Sequence, residues 1–240
     1  MLPVFDWWFL TDMKKPLIIG HRGASFYEPE NTIRSINKAI ELGAKAVEID
    51  VHLSKDKELV VIHDDSINRT TKGKGHIKDL TFKQLRKFDA GKGQKIPSLQ
   101  EVIDLFADKI TLVIELKALG TARPIARILK KNKAEKKAYI ISFWHELVKE
   151  AKALNKNINT GVLFAGCPVN AGRLAKDANA GVLFLHHKTI NKKLVQNAHK
   201  EKLKVFVWNI DKKKDIKPIA KLGVDGIGSN KPDVLVKYFC

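Results

Sequence analysis

Cysteine is nearly absent from this 240-residue chain: there are two, Cys167 and Cys240, and the second is the last residue. Two thiols so far apart supply neither a disulfide framework nor a thiolate metal site, so a reducing compartment is the default. Long hydrophobic runs are absent as well. A bilayer span needs about 20 apolar residues, and the N-terminal "MLPVFDWWFLTDMKK" falls well short. That segment has no basic leader region and no small-residue cleavage site, and Asp6 interrupts it, so it makes a poor signal peptide. Internal repeats and low-complexity linkers are missing too. The chain therefore reads as one domain, 1–240, with an N-terminal apolar extension over 1–13. There Trp7, Trp8 and Phe9 either pack on the domain or form a sticky surface for a membrane or partner.

Negative charge is in short supply: 26 acidic residues face 44 basic ones, for a net charge of +18. Such an excess favours anionic partners in general. The basic residues are mostly lysines spread over the whole chain, as in "KKNKAEKK" and "DKKKDIK". No basic stripe is interleaved with aromatics, so a solvated lysine-rich surface is expected rather than a nucleic-acid module.

What the chain does have is alternation. Apolar runs such as "PLIIGH" (16–21), "AVEIDVHL" (46–53), "ITLVIELK" (110–117), "AYIISF" (138–143), "NTGVLF" (159–164), "GVLFLH" (181–186), "KVFVWN" (204–209) and "GVDGIGS" (223–229) alternate with amphipathic helical segments. One further run, "ELVVIH" (58–63), follows the second strand after only "SKDK", a gap that suits a hairpin and not a parallel crossover. Setting it aside leaves eight strand–helix units. The expected fold is an α/β (β/α)8 TIM barrel, close to the usual ~250 residues, with a small insertion after the second strand at about 64–97. The hydrophobic content of 44% is ample for one core.

In such a barrel the chemistry gathers at the C-terminal strand ends. The first strand ends in His21-Arg22. In the second, Glu48 and Asp50 sit two residues apart and so share a face, while Val47, Ile49 and Val51 take the other. Glu115 and Lys117 repeat the pattern, "LVVIHDD" presents His63 before Asp64, and another strand ends in Trp208-Asn209. Paired inward carboxylates repel unless one is protonated or a cation lies between them. Glu48, Asp50 and Glu115 form a hard oxygen set suited to Mg2+ or Ca2+. Arg22 and Lys117 add positive charge of the kind that holds a phosphoryl group. Two histidines can divide proton transfer into base and acid. Each piece alone has an ordinary reading: a hydrogen-bonded histidine, a simple ion pair, a core tryptophan. Four strand ends with complementary chemistry point instead to metal-assisted phosphoester chemistry. His52, His76, His145, His186, His187 and His199 are read as structural, with His186-His187 the nearest to a pocket role.

The blocks "HRGASFYEPENT", "AVEIDVHLSKDKELVVIHD", "NRTTKGKGHIKDLTFKQLRKFDAG…IPSLQEV" and "VIELK" resemble the glycerophosphodiester phosphodiesterases, in order, from about Leu17 to Pro232. The resemblance implies a (β/α)8 barrel with an insertion after the second strand. It implies His21 and His63 as general acid–base pair, with Glu48, Asp50 and Glu115 as ligands of Mg2+ or Ca2+. Arg22 and Lys117 would stand at the phosphate, and Asn31 near the site unless it caps the next helix. Trp208, and Phe143 with it, would pack on the alcohol part of the substrate. One departure is "GIGSNKP", where the family often carries Thr-Asp after the last strand.

The expected activity is metal-dependent hydrolysis of glycerophosphodiesters to sn-glycerol 3-phosphate and an alcohol, with His21 as base and His63 as acid. A lysophospholipase D using the same site is the rival within that chemistry, favoured by the N-terminal aromatics beside a basic surface. A non-enzymatic polyanion binder is the rival from another class, and it leaves the inward carboxylates unexplained. The expected location is cytoplasmic, with peripheral contact to anionic lipid through the N-terminus; nucleic acid is not an expected partner.

Overall fold

The computed structural model describes residues 15–239. The N-terminal extension over 1–13 and Cys240 lie outside the described residues. Eight parallel strands close into a barrel: β1 (Leu17–His21), β2 (Ala46–Leu53), β4 (Thr111–Leu116), β5 (Ala138–Ser142), β6 (Asn159–Phe164), β7 (Val182–His186), β8 (Lys204–Trp208) and β9 (Gly226–Ser229). β9 pairs with β1, and β1 pairs with β2, so the ring has no open edge. The extra strand expected as a hairpin partner is β3 (Leu59–Val61), antiparallel to the tip of β2. Helices α1 (Ile33–Glu41), α3 (Leu99–Phe106), α4 (Ala122–Lys131), α5 (His145–Leu154), α6 (Ala171–Asp177), α7 (Lys192–Lys200), α8 (Lys213–Ala220) and α9 (Pro232–Phe239) follow the parallel strands in turn.

Strand alternation divides the apolar residues into two layers. Ile19, Ala46, Val113, Ile141, Leu163, Phe184 and Phe206 fill the barrel interior. Val47, Ile49, Val51, Ile114 and Ile140 face outward under helices α1, α3 and α4. Each such fully buried aliphatic side chain stabilises the fold by roughly 1.5–3 kcal/mol. A third, smaller cluster belongs to the excursion after β3, where Ile62, Ile67, Ile77, Leu85, Ala90 and Ile96 pack around the short helix α2 (Phe82–Leu85). That excursion therefore has its own apolar centre instead of hanging loose.

Helix starts follow the expected cap chemistry. Thr32, Thr81 and Ser98 form capping boxes at α1, α2 and α3. The cap of α1 is Thr32 and not Asn31, whose side chain is used elsewhere. The turn from β1 into α1 is tight: Gly23 sits at φ +81, and a Cβ there would fall on Ser35. Only glycine fits that position.

Candidate active site

Register brings the acidic residues together. His21 on β1 pairs with Glu48 on β2, and Asp50 on β2 pairs with Glu115 on β4. All three carboxylates point into the barrel mouth, and one oxygen from each lies within 4.8 Å of the others. They are 3%, 1% and 9% exposed, so water does little to separate their charges. Burial, then Asp50 and Glu115, push Glu48 well above the ordinary carboxylate range. Burial and Asp50 likewise push Glu115 up to about 7. Glu48 Oε1 and Asp50 Oδ1 are buried with no hydrogen-bond partner among the described residues. Orphaned, crowded, hard oxygen donors are what a divalent cation requires, so these three residues could hold one.

Two cations border the cluster. Arg22, at φ +52, donates its backbone N–H to Glu48 Oε2 at 3.0 Å. Its guanidinium donates to Glu30 at 2.9 Å and lies 3.4 Å from Asp50. Lys117 donates to Glu115 at 2.8 Å and lies 3.7 Å from Asp50. Burial opposes the charge on Lys117, but Glu115 and Asp50 outweigh it and hold the ammonium above its ordinary value. Asn31 binds Asp50 twice, donating Nδ2 to Oδ2 at 2.8 Å and accepting the Asp50 backbone N–H at 3.2 Å.

The two histidines are held differently. His63 donates from Nδ1 to Asp64 Oδ1 at 2.7 Å, and its Nε2 accepts from Lys117 at 3.2 Å. Nδ1 of His21 lies 2.7 Å from Asn230 Oδ1, and its Nε2 lies 3.8 Å from Glu48. Burial, with the neighbouring Arg22 charge, lowers His21 below the ordinary histidine value. His52, read from sequence as structural, donates to the carbonyl of His63 at 2.9 Å.

These groups border a cavity of about 110 Å3 lined by His21, Arg22, Glu48, His63, Glu115, Lys117, Phe143, Leu163, Phe184 and Trp208. Phe143 stands edge-on to Trp208 at 6.0 Å, and the buried Trp208 Nε1 has no hydrogen-bond partner among the described residues. Eight of the ten residues singled out in the sequence thus share one cavity wall. The other two, Asp50 and Asn31, bond to each other and do not line it. The set-aside pair His186-His187 also stays off the wall, although His186 packs edge-on against Trp208 at 4.9 Å.

Sequence reasoning missed the groups that stand behind the pocket. Arg69 donates to Asp64 at 2.7 and 3.0 Å and to Glu30 at 2.8 and 2.7 Å. It therefore ties the carboxylate behind His63 to the one behind Arg22. Arg69's hydrogen bonds hold Asp64 well below the usual carboxylate range. Burial would raise Glu30, but Arg69 and Arg22 bring it down to about 2. Asp64 had a signal in its place beside His63; Arg69 had one in the quoted "NRTT" block, although nothing there named its partners.

Residues 21–234 match the model of the Glycerophosphoryl diester phosphodiesterase family. A glycerophosphodiester phosphodiesterase of Caldanaerobacter subterraneus is 37% identical over 235 residues, covering 92% of this chain and 97% of that protein. A phosphodiesterase of Oleispira antarctica, solved in complex with the product sn-glycerol-3-phosphate, has a TM-score of 0.87 at 28% identity, covering 92% of this chain and 96% of that one. The Thermotoga maritima glycerophosphodiester phosphodiesterase has a TM-score of 0.81 at 28% identity, covering 94% and 99%. Sequence match and barrel architecture lead to the same place: the chain belongs to the glycerophosphoryl diester phosphodiesterase family.

Proposed function

We propose that the protein hydrolyses glycerophosphodiesters to sn-glycerol 3-phosphate and a free alcohol, in a metal-dependent reaction with two histidines as base and acid. The observation that carries this reading is one cavity wall combining two imidazoles, two cations and the carboxylates Glu48 and Glu115, with Asp50 packed directly beneath. A Mg2+ or Ca2+ ion held by Glu48, Asp50 and Glu115 would neutralise charge on the non-bridging phosphate oxygens. Arg22 and Lys117 hold the same phosphate by charge-assisted hydrogen bonds. Trp208 and Phe143 offer an apolar face to the alcohol.

The supports behind the histidines favour an order. A neutral amide oxygen faces Nδ1 of His21, so His21 stays uncharged and accepts the proton of the attacking hydroxyl. A carboxylate faces Nδ1 of His63 and fixes its ring, leaving Nε2 as the atom that would carry the proton to the leaving alkoxide. The attacker is either the glycerol hydroxyl next to the phosphate, giving a cyclic phosphate, or water. Trapping a cyclic phosphate in oxygen-18 water separates the two. His21→Ala, His63→Ala and chelation should each abolish turnover of glycerophosphoethanolamine while circular dichroism stays native. Each histidine is expected to contribute about 10²–10⁴-fold. Full activity in any of the three would remove that element from the reading.

A second reading, lysophospholipid as substrate of the same site, has one observation in its favour. Leu119, Phe143, Trp144 and Val169, on the loops after β4, β5 and β6, are 65%, 46%, 55% and 105% exposed. Such a patch on one side of the mouth could receive an acyl chain or a lipid surface. Rates on glycerophosphocholine and lysophosphatidylcholine, with residues 1–12 present and deleted, decide between them. Among the described residues no helix is long and apolar enough to cross a membrane. A cytoplasmic protein with peripheral membrane contact fits the proposal.

A further inference from the structure

Three polar side chains, Asn209, Asp211 and Asn230, stand behind His21. None of them lines the cavity. Asn230 Oδ1 faces Nδ1 of His21 at 2.7 Å and accepts a second bond from Ser25 Oγ, also at 2.7 Å. The other end of that amide, Nδ2, donates to Asp211 Oδ2 at 2.6 Å. Asp211 Oδ1 accepts from the Asn230 backbone N–H and from Ser229 Oγ, both at 2.8 Å.

An ionised carboxylate can only accept hydrogen bonds, whereas an amide has one accepting and one donating end. Asp211 therefore admits the nitrogen end of Asn230 and turns the oxygen end onto His21. An oxygen at Nδ1 demands the proton there. A neutral imidazole has a single N–H, so Nε2, which points towards Glu48, is left bare. Asn209 Nδ2 also lies 3.0 Å from Nδ1, and one nitrogen cannot donate to Asn230 and accept from Asn209 together. The far end of that second amide, Oδ1, has no hydrogen-bond partner among the described residues, so reversal breaks no other bond. Reversal keeps the side chain's shape and sets its oxygen towards Nδ1–H. Asn230 has a carboxylate to fix it, and Asn209 adapts.

We infer that Asp211 is a positioning residue which, acting through Asn230, fixes the His21 tautomer with its proton on Nδ1 and keeps Nε2 free to take a proton. The inference rests on the proposed role of His21 as base. It also accounts for the sequence departure at Ser229-Asn230. Where the resembling family often puts a carboxylate at position 230, this chain has an amide there and its carboxylate at Asp211.

The test uses the full chain with Mg2+ present and three variants. In Asp211→Asn the facing group can donate as well as accept, so the Asn230 amide is free to turn. The expected result is a loss in kcat of about 10- to 100-fold, the range for residues that orient a histidine from behind, with KM little changed. The 15N ring shifts of His21 at pH 8 should show the Nδ1–H tautomer in the parent protein and a mixture in the variant. The double variant Asp211→Asn, Asn230→Asp has a group at 230 that only accepts, so it should regain the tautomer and most of kcat. A parent protein carrying the proton on Nε2 overturns the inference. So does an Asp211→Asn variant with unchanged kcat and shifts, or a double variant no better than the single one. His21→Ala is the separate control: retained turnover there refutes the base assignment, while the ring shifts of the parent protein report on the tautomer independently.

Discussion

Glu48, Asp50 and Glu115 place three carboxylates within 4.8 Å of one another in a setting nearly sealed from water. Such a cluster costs stability until a cation joins it, and that gives a direct measurement. Thermal melting with added Mg2+ or Ca2+ should show a rise that saturates, worth about 2.7 kcal/mol at 100 times Kd. Glu115→Gln should weaken the response by removing one donor. A flat response in the parent protein would argue against an ion at this position. Gly23 makes a second test. At φ +81, with Ser35 in the way, Gly23→Ala should lower stability by at least roughly 1–3 kcal/mol in denaturant titrations. At this scale the sequence was informative where a residue's duty follows from its own strand. The inward face shared by Glu48 and Asp50, and the one shared by Glu115 and Lys117, are properties of alternation alone. Asn31 was left open between a place near the site and a helix cap, because its partner Asp50 lies 19 positions away in sequence.

Among the elements, the excursion between β3 and α3 has more to do than its loop-like composition suggested. Its own apolar cluster fixes it in place, and Arg69 projects from it to Asp64 and Glu30. The Glu30 contact lies 39 positions away in sequence, which is why the strand and helix patterns revealed the excursion but not its purpose. The linkage predicts an acid limb. Glu30 titrates lower in the folded chain than in the unfolded one, at about 2 against 4.5. Its stabilisation is therefore complete above the unfolded value and is lost as pH falls from about 4.5 towards 2. The shift corresponds to at most about 3.4 kcal/mol at ~1.36 kcal/mol per unit, and solvent at the half-exposed Arg69 reduces it. Arg69→Met should flatten the fall in melting temperature between pH 5 and pH 2.5. An unchanged acid limb would show that the bridge adds nothing to folding. The closed ring and the added β3 hairpin, by contrast, were legible from spacing: a four-residue gap cannot house a parallel crossover.

Over the whole molecule, a net charge of +18 surrounds a site meant for an anionic substrate. Most lysines contribute through the summed field, since isolated surface pairs such as Arg173 with Asp177 are worth little. Raising ionic strength from 10 to 300 mM should therefore lower kcat/KM on glycerophosphodiesters several-fold, in keeping with a Debye length that shrinks from about 30 Å towards 8 Å and below. The value of kcat should hold. Equal loss in both would place the salt effect on the chemical step instead.

β2 is hydrogen-bonded along its length to β1, β4 and, at its tip, β3. The strand that bears two of the three crowded carboxylates is thus clamped by three neighbours. Its amides should be among the last to exchange with deuterium, opening only when the entire barrel unfolds. The positions of Glu48 and Asp50 are then set by the strand and not by local opening. A cation at the proposed site would meet donors whose places the backbone ladder has already set.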